Sequence, residues 1–187
     1  LEKYKFIKDG FDTKILNYLP AENYVTYGFA LNPSEIYKWL NETPAYKPML
    51  EQAGQGAPMP LEKMIGSIGG DIIFAMHGFK LPETDETSQY GGSQSMMPYA
   101  TAILSMNNDE LYKLITTQMI PPGFFQLVDG YYSGSIMGFE LNFGLFDNKL
   151  IVTNDKNVIA NAAKGGLENN LGNTELKDLF SHCGFGY

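Results

Sequence analysis

The run Tyr131-Tyr132-Ser133-Gly134-Ser135-Ile136-Met137-Gly138-Phe139-Glu140-Leu141-Asn142-Phe143-Gly144-Leu145-Phe146-Asp147-Asn148-Lys149-Leu150-Ile151-Val152-Thr153 decides the fold class. Aromatic and β-branched residues dominate it, and these suit a pleated, half-buried surface. Residues 131–137, 139–146 and 150–153 read as strands, with Asp147-Asn148 as turn residues before the last of them. No gap between them can hold a crossover helix, which a parallel connection requires. The segment is a meander, so a mostly antiparallel sheet is expected rather than a doubly wound one.

Reading outward, Asn154 or Asp155 caps a helix over 156–163, and Gly165-Gly166 ends it. A terminal helix is expected over 174–180. Upstream, Asp12 caps a short helix to residue 19, where Pro20 stops it. Residues 24–31 read as a strand. Asn32, Pro33 and Glu35 then form a helix start, with Asn32 as cap and Glu35 reaching back. This helix carries Ile36, Trp39 and Leu40 at core spacing, and Pro44 and Pro48 break it. A second short helix is expected over 60–66, with Gly69-Gly70 ending the connection. Strands follow at 71–79 and 98–106, and Asn107 or Asn108 caps a helix through residue 115. Residues 82–95 offer almost nothing to bury and read as a surface loop.

The chain echoes itself. Residues 24–40 align without a gap on 99–115, and Tyr24/Tyr99, Thr26/Thr101, Asn32/Asn107, Glu35/Glu110, Tyr37/Tyr112 and Lys38/Lys113 are identical. Shared capping and amphipathic spacing supply part of this, and duplication of a unit supplies the rest. The expected architecture is α+β: a mostly antiparallel sheet with helices packed on one face, built from two related strand–helix–strand units. The expected division is a lead-in segment at 1–21, a core at 22–166 with units at about 22–79 and 97–166, and the start of a following unit at 167–187.

Composition bounds function. Hydrophobic residues make up 44% of the 187 and charged ones 18%, enough for a sizeable core. The net charge is −8, and all 13 basic residues are lysines. Without guanidinium forks or clustered positive charge, neither nucleic acid nor a nucleoside triphosphate is an expected partner. No apolar run approaches the ~20 residues that span a bilayer. The chain opens on Leu1 and stops after Gly186-Tyr187, so it reads as an excerpt, and a missing export signal says nothing of location.

Candidate chemistry is sparse. His77 and His182 lie on different elements at no metal-ligand spacing, and His77 reads as a structural histidine. Cys183, the lone cysteine, is adjacent to His182, but sequence neighbours at a helix end do not face each other. Gly66-Ser67-Ile68-Gly69-Gly70 lacks the order of a phosphate loop, and Gly134-Ser135 lacks the nucleophile elbow. Glu83, Asp85 and Glu86 lack the ordering of a calcium hand and read as a solvated acidic loop. Trp39, Tyr131 and Tyr132 could stack on a sugar ring, though the spacing of Trp39 is that of a core residue. No catalytic, cofactor or metal residue is nominated.

Three phrases carry a family resemblance. They are Leu19-Pro20-Ala21-Glu22-Asn23 leading into a strand, Gly69-Gly70-Asp71-Ile72-Ile73-Phe74-Ala75 after a short helix, and Leu145-Phe146-Asp147-Asn148-Lys149-Leu150-Ile151-Val152-Thr153-Asn154-Asp155. Together they resemble the Bacteroidota lipoprotein family called domain of unknown function 4836, and distantly domain of unknown function 3352. The resemblance implies export by an upstream lipobox, anchoring in the cell envelope, and a longer full chain. It implies no catalytic residues. The expected function is a non-catalytic ectodomain of a cell-envelope lipoprotein that binds a protein or polysaccharide partner through a sheet face or the 82–95 loop. The alternatives are a carboxylate-dependent glycan- or peptidoglycan-active enzyme domain and a structural spacer.

Overall fold

In a computed structural model, residues 3–80, 96–136 and 139–182 are described. Among the described residues, seven strands form one sheet: β1 (Val25–Ala30), β2 (Ile68–Lys80), β3 (Met97–Met106), β4 (Phe125–Val128), β5 (Tyr131–Ile136), β6 (Phe139–Phe146) and β7 (Lys149–Thr153). Their order is β1-β2-β3-β7-β6-β5-β4, and each neighbouring pair is antiparallel. The fold is α+β. The meander is as expected, with Asp147 and Asn148 both at positive φ in the turn joining β6 to β7.

The described residues also form six α-helices: α1 (Pro33–Glu42), α2 (Lys47–Gly56), α3 (Leu61–Gly66), α4 (Glu110–Leu114), α5 (Lys156–Ala162) and α6 (Leu176–His182). Asp155 caps α5 by accepting from the Asn157 amide at 2.8 Å. Asp12 likewise accepts from the Lys14 amide at the head of a 3-10 segment, Thr13–Tyr18. Asn108 accepts from the Glu110 amide at the start of α4, which runs on into a π-helical turn, Ile115–Met119. Asn32 departs from expectation: its side chain makes no capping bond, and Pro33 at the first position, which has no N–H to satisfy, removes one of the donors a cap would serve.

The pleat sends alternate residues to opposite faces. One face carries Ala30, Ile73, Ala75, Ile103 and Ile151, packed against Ile15, Leu16 and Leu19 of the 3-10 segment, Ile159 of α5, and Leu171 and Phe180 near the end of the chain. This is the main core. Both flanking segments of the expected division therefore contribute to it. The opposite face holds a smaller cluster at one end, where Leu104, Met106, Leu145 and Leu150 meet Met64 of α3 and Leu111 and Leu114 of α4. Trp39 belongs to neither cluster. It packs half-buried against Phe6 and Tyr46, at ring separations of 5.5 and 5.2 Å, because α1 has no buried residue and lies at the periphery.

Candidate functional site

The main core covers one face of the sheet over β1, β2, β3 and β7, whereas the opposite face of these strands is covered at one end only. On the side away from the main core, Val25, Tyr27 and Phe29 of β1 stand opposite Met76, Phe74 and Ile72 of β2. Antiparallel sheets that meet water on one side normally alternate apolar with polar residues. These six positions do not: the only polar side-chain atom that can donate or accept strongly is the Tyr27 hydroxyl. Tyr27 is 51% exposed, Phe29 40% and Phe74 38%. The helices α3 and α4 cover the other end of this face. Here three large rings lie on adjacent strands, in contact with water and free of charge.

Buried polar groups form two networks on the covered face. In the first, His77 Nε2 lies 2.8 Å from Thr101 Oγ1, which lies 2.8 Å from Thr153 Oγ1. Thr153 donates to the Ala100 carbonyl at 2.9 Å and accepts from the Asp155 amide at 3.1 Å. A hydroxyl has one proton, so Thr153 must accept from Thr101, and Thr101 must in turn accept from His77 Nε2–H. The Asp155 carboxylate is 3.8 Å from Nδ1, beyond hydrogen-bond reach. A hydroxyl–imidazole–carboxylate relay needs the opposite polarity, with the hydroxyl proton directed to the imidazole. Thr101 is fully buried as well, so no substrate reaches it. Burial holds the His77 pKa below its ordinary value, and the Asp155 charge only partly opposes this. His77 is thus a neutral donor within the sheet.

In the second network Lys8 Nζ meets Asp71 Oδ2 at 2.6 Å and the Gly69 carbonyl at 3.0 Å. Ser105 Oγ accepts from the Asp71 amide at 2.8 Å and donates to Asp71 Oδ2 at 3.3 Å. Asp71 Oδ1 is buried with no hydrogen-bond partner among the described residues.

Among the described residues, three surface recesses bear on the enzyme alternative. A cleft of about 750 Å³ is lined by Phe124, Gln126, Ser133, Ser135 and a lone carboxylate, Glu140, which Lys156 holds at 2.5 Å. A groove of about 510 Å³ between α1 and α3 holds Glu35 and Glu62. A recess of about 330 Å³ holds Asp12 and Asp147. There Asp12 pairs with Lys149 at 2.7 Å, and Tyr18 donates to Asp147 at 2.7 Å. Burial would raise the Asp12 pKa, but the hydrogen bonds from Lys149 and the Lys14 amide, with the charges of both lysines, hold it below the ordinary carboxylate value. A glycosidase acid must be protonated at working pH, so its pKa is raised rather than lowered. The Tyr18 phenol is pushed well above its usual pKa by burial and then by its bond to Asp147.

Other residues singled out in the sequence fall as follows. Tyr131 is buried in the main core, and Tyr132 stacks on Phe143 at 5.1 Å, so neither offers a free ring on both sides. Gly69 and Gly70 lie inside β2 rather than in a turn. The 82–95 loop with Glu83, Asp85 and Glu86 lies outside the described residues, as do Cys183 and the His182 side chain. Among the described residues no His, Cys, Asp and Glu cluster is placed to hold a metal, and no helix is long and apolar enough to cross a membrane. The open aromatic face escaped sequence reasoning, although its signal was present. Ile72-Ile73-Phe74 is a continuous apolar run, which marks a strand covered on both faces.

Comparison of the chain with protein-family models, with curated proteins and with solved structures finds no match.

Proposed function

We propose that this chain is a non-catalytic binding module, an ectodomain of a cell-envelope lipoprotein, and that its open sheet face takes a partner protein. The observation that carries the reading is the exposure of Tyr27, Phe29 and Phe74 on the uncharged face of β1 and β2. Large rings in a contiguous exposed patch favour association, because covering them removes apolar surface from water at about 25 cal/mol per Å². The same chemistry decides between the two partner classes. A glycan laid on this face would leave its hydroxyls desolvated, with one phenol to satisfy them. A protein can meet the face with an apolar sheet or helix. The envelope location rests on the family resemblance alone.

The test is the double variant Tyr27→Ser/Phe74→Ser. Both side chains project away from the main core, so thermal unfolding should stay near wild type. Envelope extract crosslinked to immobilised wild-type chain should yield a partner, and that partner, purified, should bind wild type and lose at least tenfold in affinity for the variant. Equal binding to both would overturn the assignment of the face. Binding of peptidoglycan or glycan fragments, with no protein partner, would overturn the partner class. A hydrolase activity lost on substituting Asp12 or Asp147 would favour the enzyme alternative instead.

A further inference from the structure

The two edges of the sheet are managed differently. An edge strand exposes unpaired backbone groups, and proteins normally blunt it with charge, proline, a bulge or a covering segment. At the β1 edge, Ile7 bridges Leu31, Lys8 N–H donates to the Ala30 carbonyl at 2.9 Å, and Asn32 N–H donates to the Phe6 carbonyl at 2.7 Å. Among the described residues, none gives the β4 edge such a cover. Phe125-Gln126-Leu127-Val128 carries neither charge nor proline.

The turn fixes which groups of β4 are free. Asp129 and Gly130 have φ of 49° and 89°, a two-residue connection with both residues left-handed. In such a hairpin the flanking residues, Val128 and Tyr131, exchange hydrogen bonds, and alternate pairs follow suit. Gln126 therefore bonds to Ser133 of β5, while the N–H and C=O of Phe125 and Leu127 point outward. Leu127 is 64% exposed.

We infer that β4 pairs antiparallel with β4 of a second copy of this chain, about a two-fold axis passing beside Gln126. In that register Phe125 of each copy faces Leu127 of the other. The two outward-pointing residues are thereby matched, giving four main-chain hydrogen bonds and two Phe–Leu contacts on one sheet face. The strand is self-complementary at this register, which matches both of its outward-pointing residues. It is also a stretch over which two chains, each of net charge −8, bring no charged side chain into opposition. Pro121 and Pro122 before it and the Asp129-Gly130 turn after it limit pairing to these few residues. The result is a reversible dimer with a short interface, not an open-ended assembly.

Sedimentation velocity over a wide concentration range tests this. Wild type should pass from monomer to dimer, and more readily at high salt, where the mutual repulsion of the acidic chains is screened. Leu127→Pro removes an outward N–H and leaves the β4–β5 ladder intact. Losing two of the four hydrogen bonds should weaken the dimer about thirtyfold. Gln126→Lys sets two ammonium groups against each other at the axis and should abolish it. A chain that stays monomeric at every concentration overturns the inference. So does a dimer that both variants leave intact, since it would be formed elsewhere. The inference is independent of the open face, and Tyr27→Ser/Phe74→Ser should dimerise as wild type does.

Discussion

Lys8 Nζ lies 2.6 Å from Asp71 Oδ2, tying the segment before the first 3-10 turn to the second strand of the sheet. The partners are unequally placed: the Asp71 side chain is 3% exposed and that of Lys8 32%. Removing either partner therefore has a different consequence. Lys8→Met leaves a carboxylate buried without a counter-charge and should cost about 3 kcal/mol. Asp71→Asn leaves a lysine that can turn to water, and should cost about 1 kcal/mol. Urea unfolding of both variants checks the order. Equal costs would mean that the Asp71 carboxylate finds compensation when the Lys8 ammonium is lost.

Gly70 supplies the second prediction. Its φ is +92°, and a Cβ there would lie 2.0 Å from the Leu31 carbonyl oxygen, a backbone atom that cannot rotate away. Gly10 has a similar φ, +83°, with nothing within 4 Å of a Cβ. Gly10→Ala should therefore show the conformational cost alone, about 1 kcal/mol. Gly70→Ala should add the clash and exceed about 3 kcal/mol. Closely similar melting temperatures for the two would show that β1 and β2 can part at this point without loss.

The same strands show what was legible in the sequence. Thr26 on β1 and Thr101 on β3, matched in the gapless alignment, both pair with Ala75 of β2. Val25 and Ala100 likewise share Met76, Tyr27 and Ala102 share Phe74, Gly28 and Ile103 share Ile73, and Phe29 and Leu104 share Ile72, so over these positions the echo marks two strands flanking a common neighbour. Duplication would leave that pattern, and so would two strands that feed similar capped helices beside one central strand. The meander was legible because turn dipeptides punctuate long apolar runs. β4 was not, being four residues long and including a glutamine, although Asp129-Gly130 before Tyr131 was a usable hairpin signal. α2 was hidden because Pro44 and Pro48 read as breaks, whereas Pro48 sits in the first turn of α2, where no N–H is needed. The open face was hidden for a different reason. Local pattern shows that a strand is apolar on both sides, and only the tertiary structure shows which side lacks a cover.

Asp12 contributes to the acid limb of stability. Its folded pKa is depressed, so the contribution it makes with Lys149 is present above the ordinary value of 3.8 and is lost as pH falls through the folded value. Asp12→Asn should flatten the loss of stability below that point while lowering stability near neutrality. Chemical denaturation at neutral and acid pH measures both. An acid limb as steep in the variant as in wild type would place the responsible carboxylate elsewhere.

His77 should contribute a second, higher limb. Its pKa is also depressed in the fold, by burial, while the unfolded chain takes up a proton near the ordinary value of 6.5. Below that pH the unfolded state binds more protons than the folded one, so stability falls as pH falls, until the folded pKa is reached. The difference is one proton at most, which limits the slope to about 1.4 kcal/mol per pH unit. His77→Gln retains an N–H that can reach Thr101 Oγ1 but has no group titrating in this range. The variant should lose this component of the slope between neutrality and pH 5, and the two curves should converge as the wild type becomes less stable. His182 is common to both proteins and drops out of the comparison. Parallel curves would mean that the protonated ring is tolerated between Thr101 and Asp155. The 3.8 Å separation from Asp155 would then have to close into a true ion pair on protonation, making the network a pH-responsive contact rather than a fixed one.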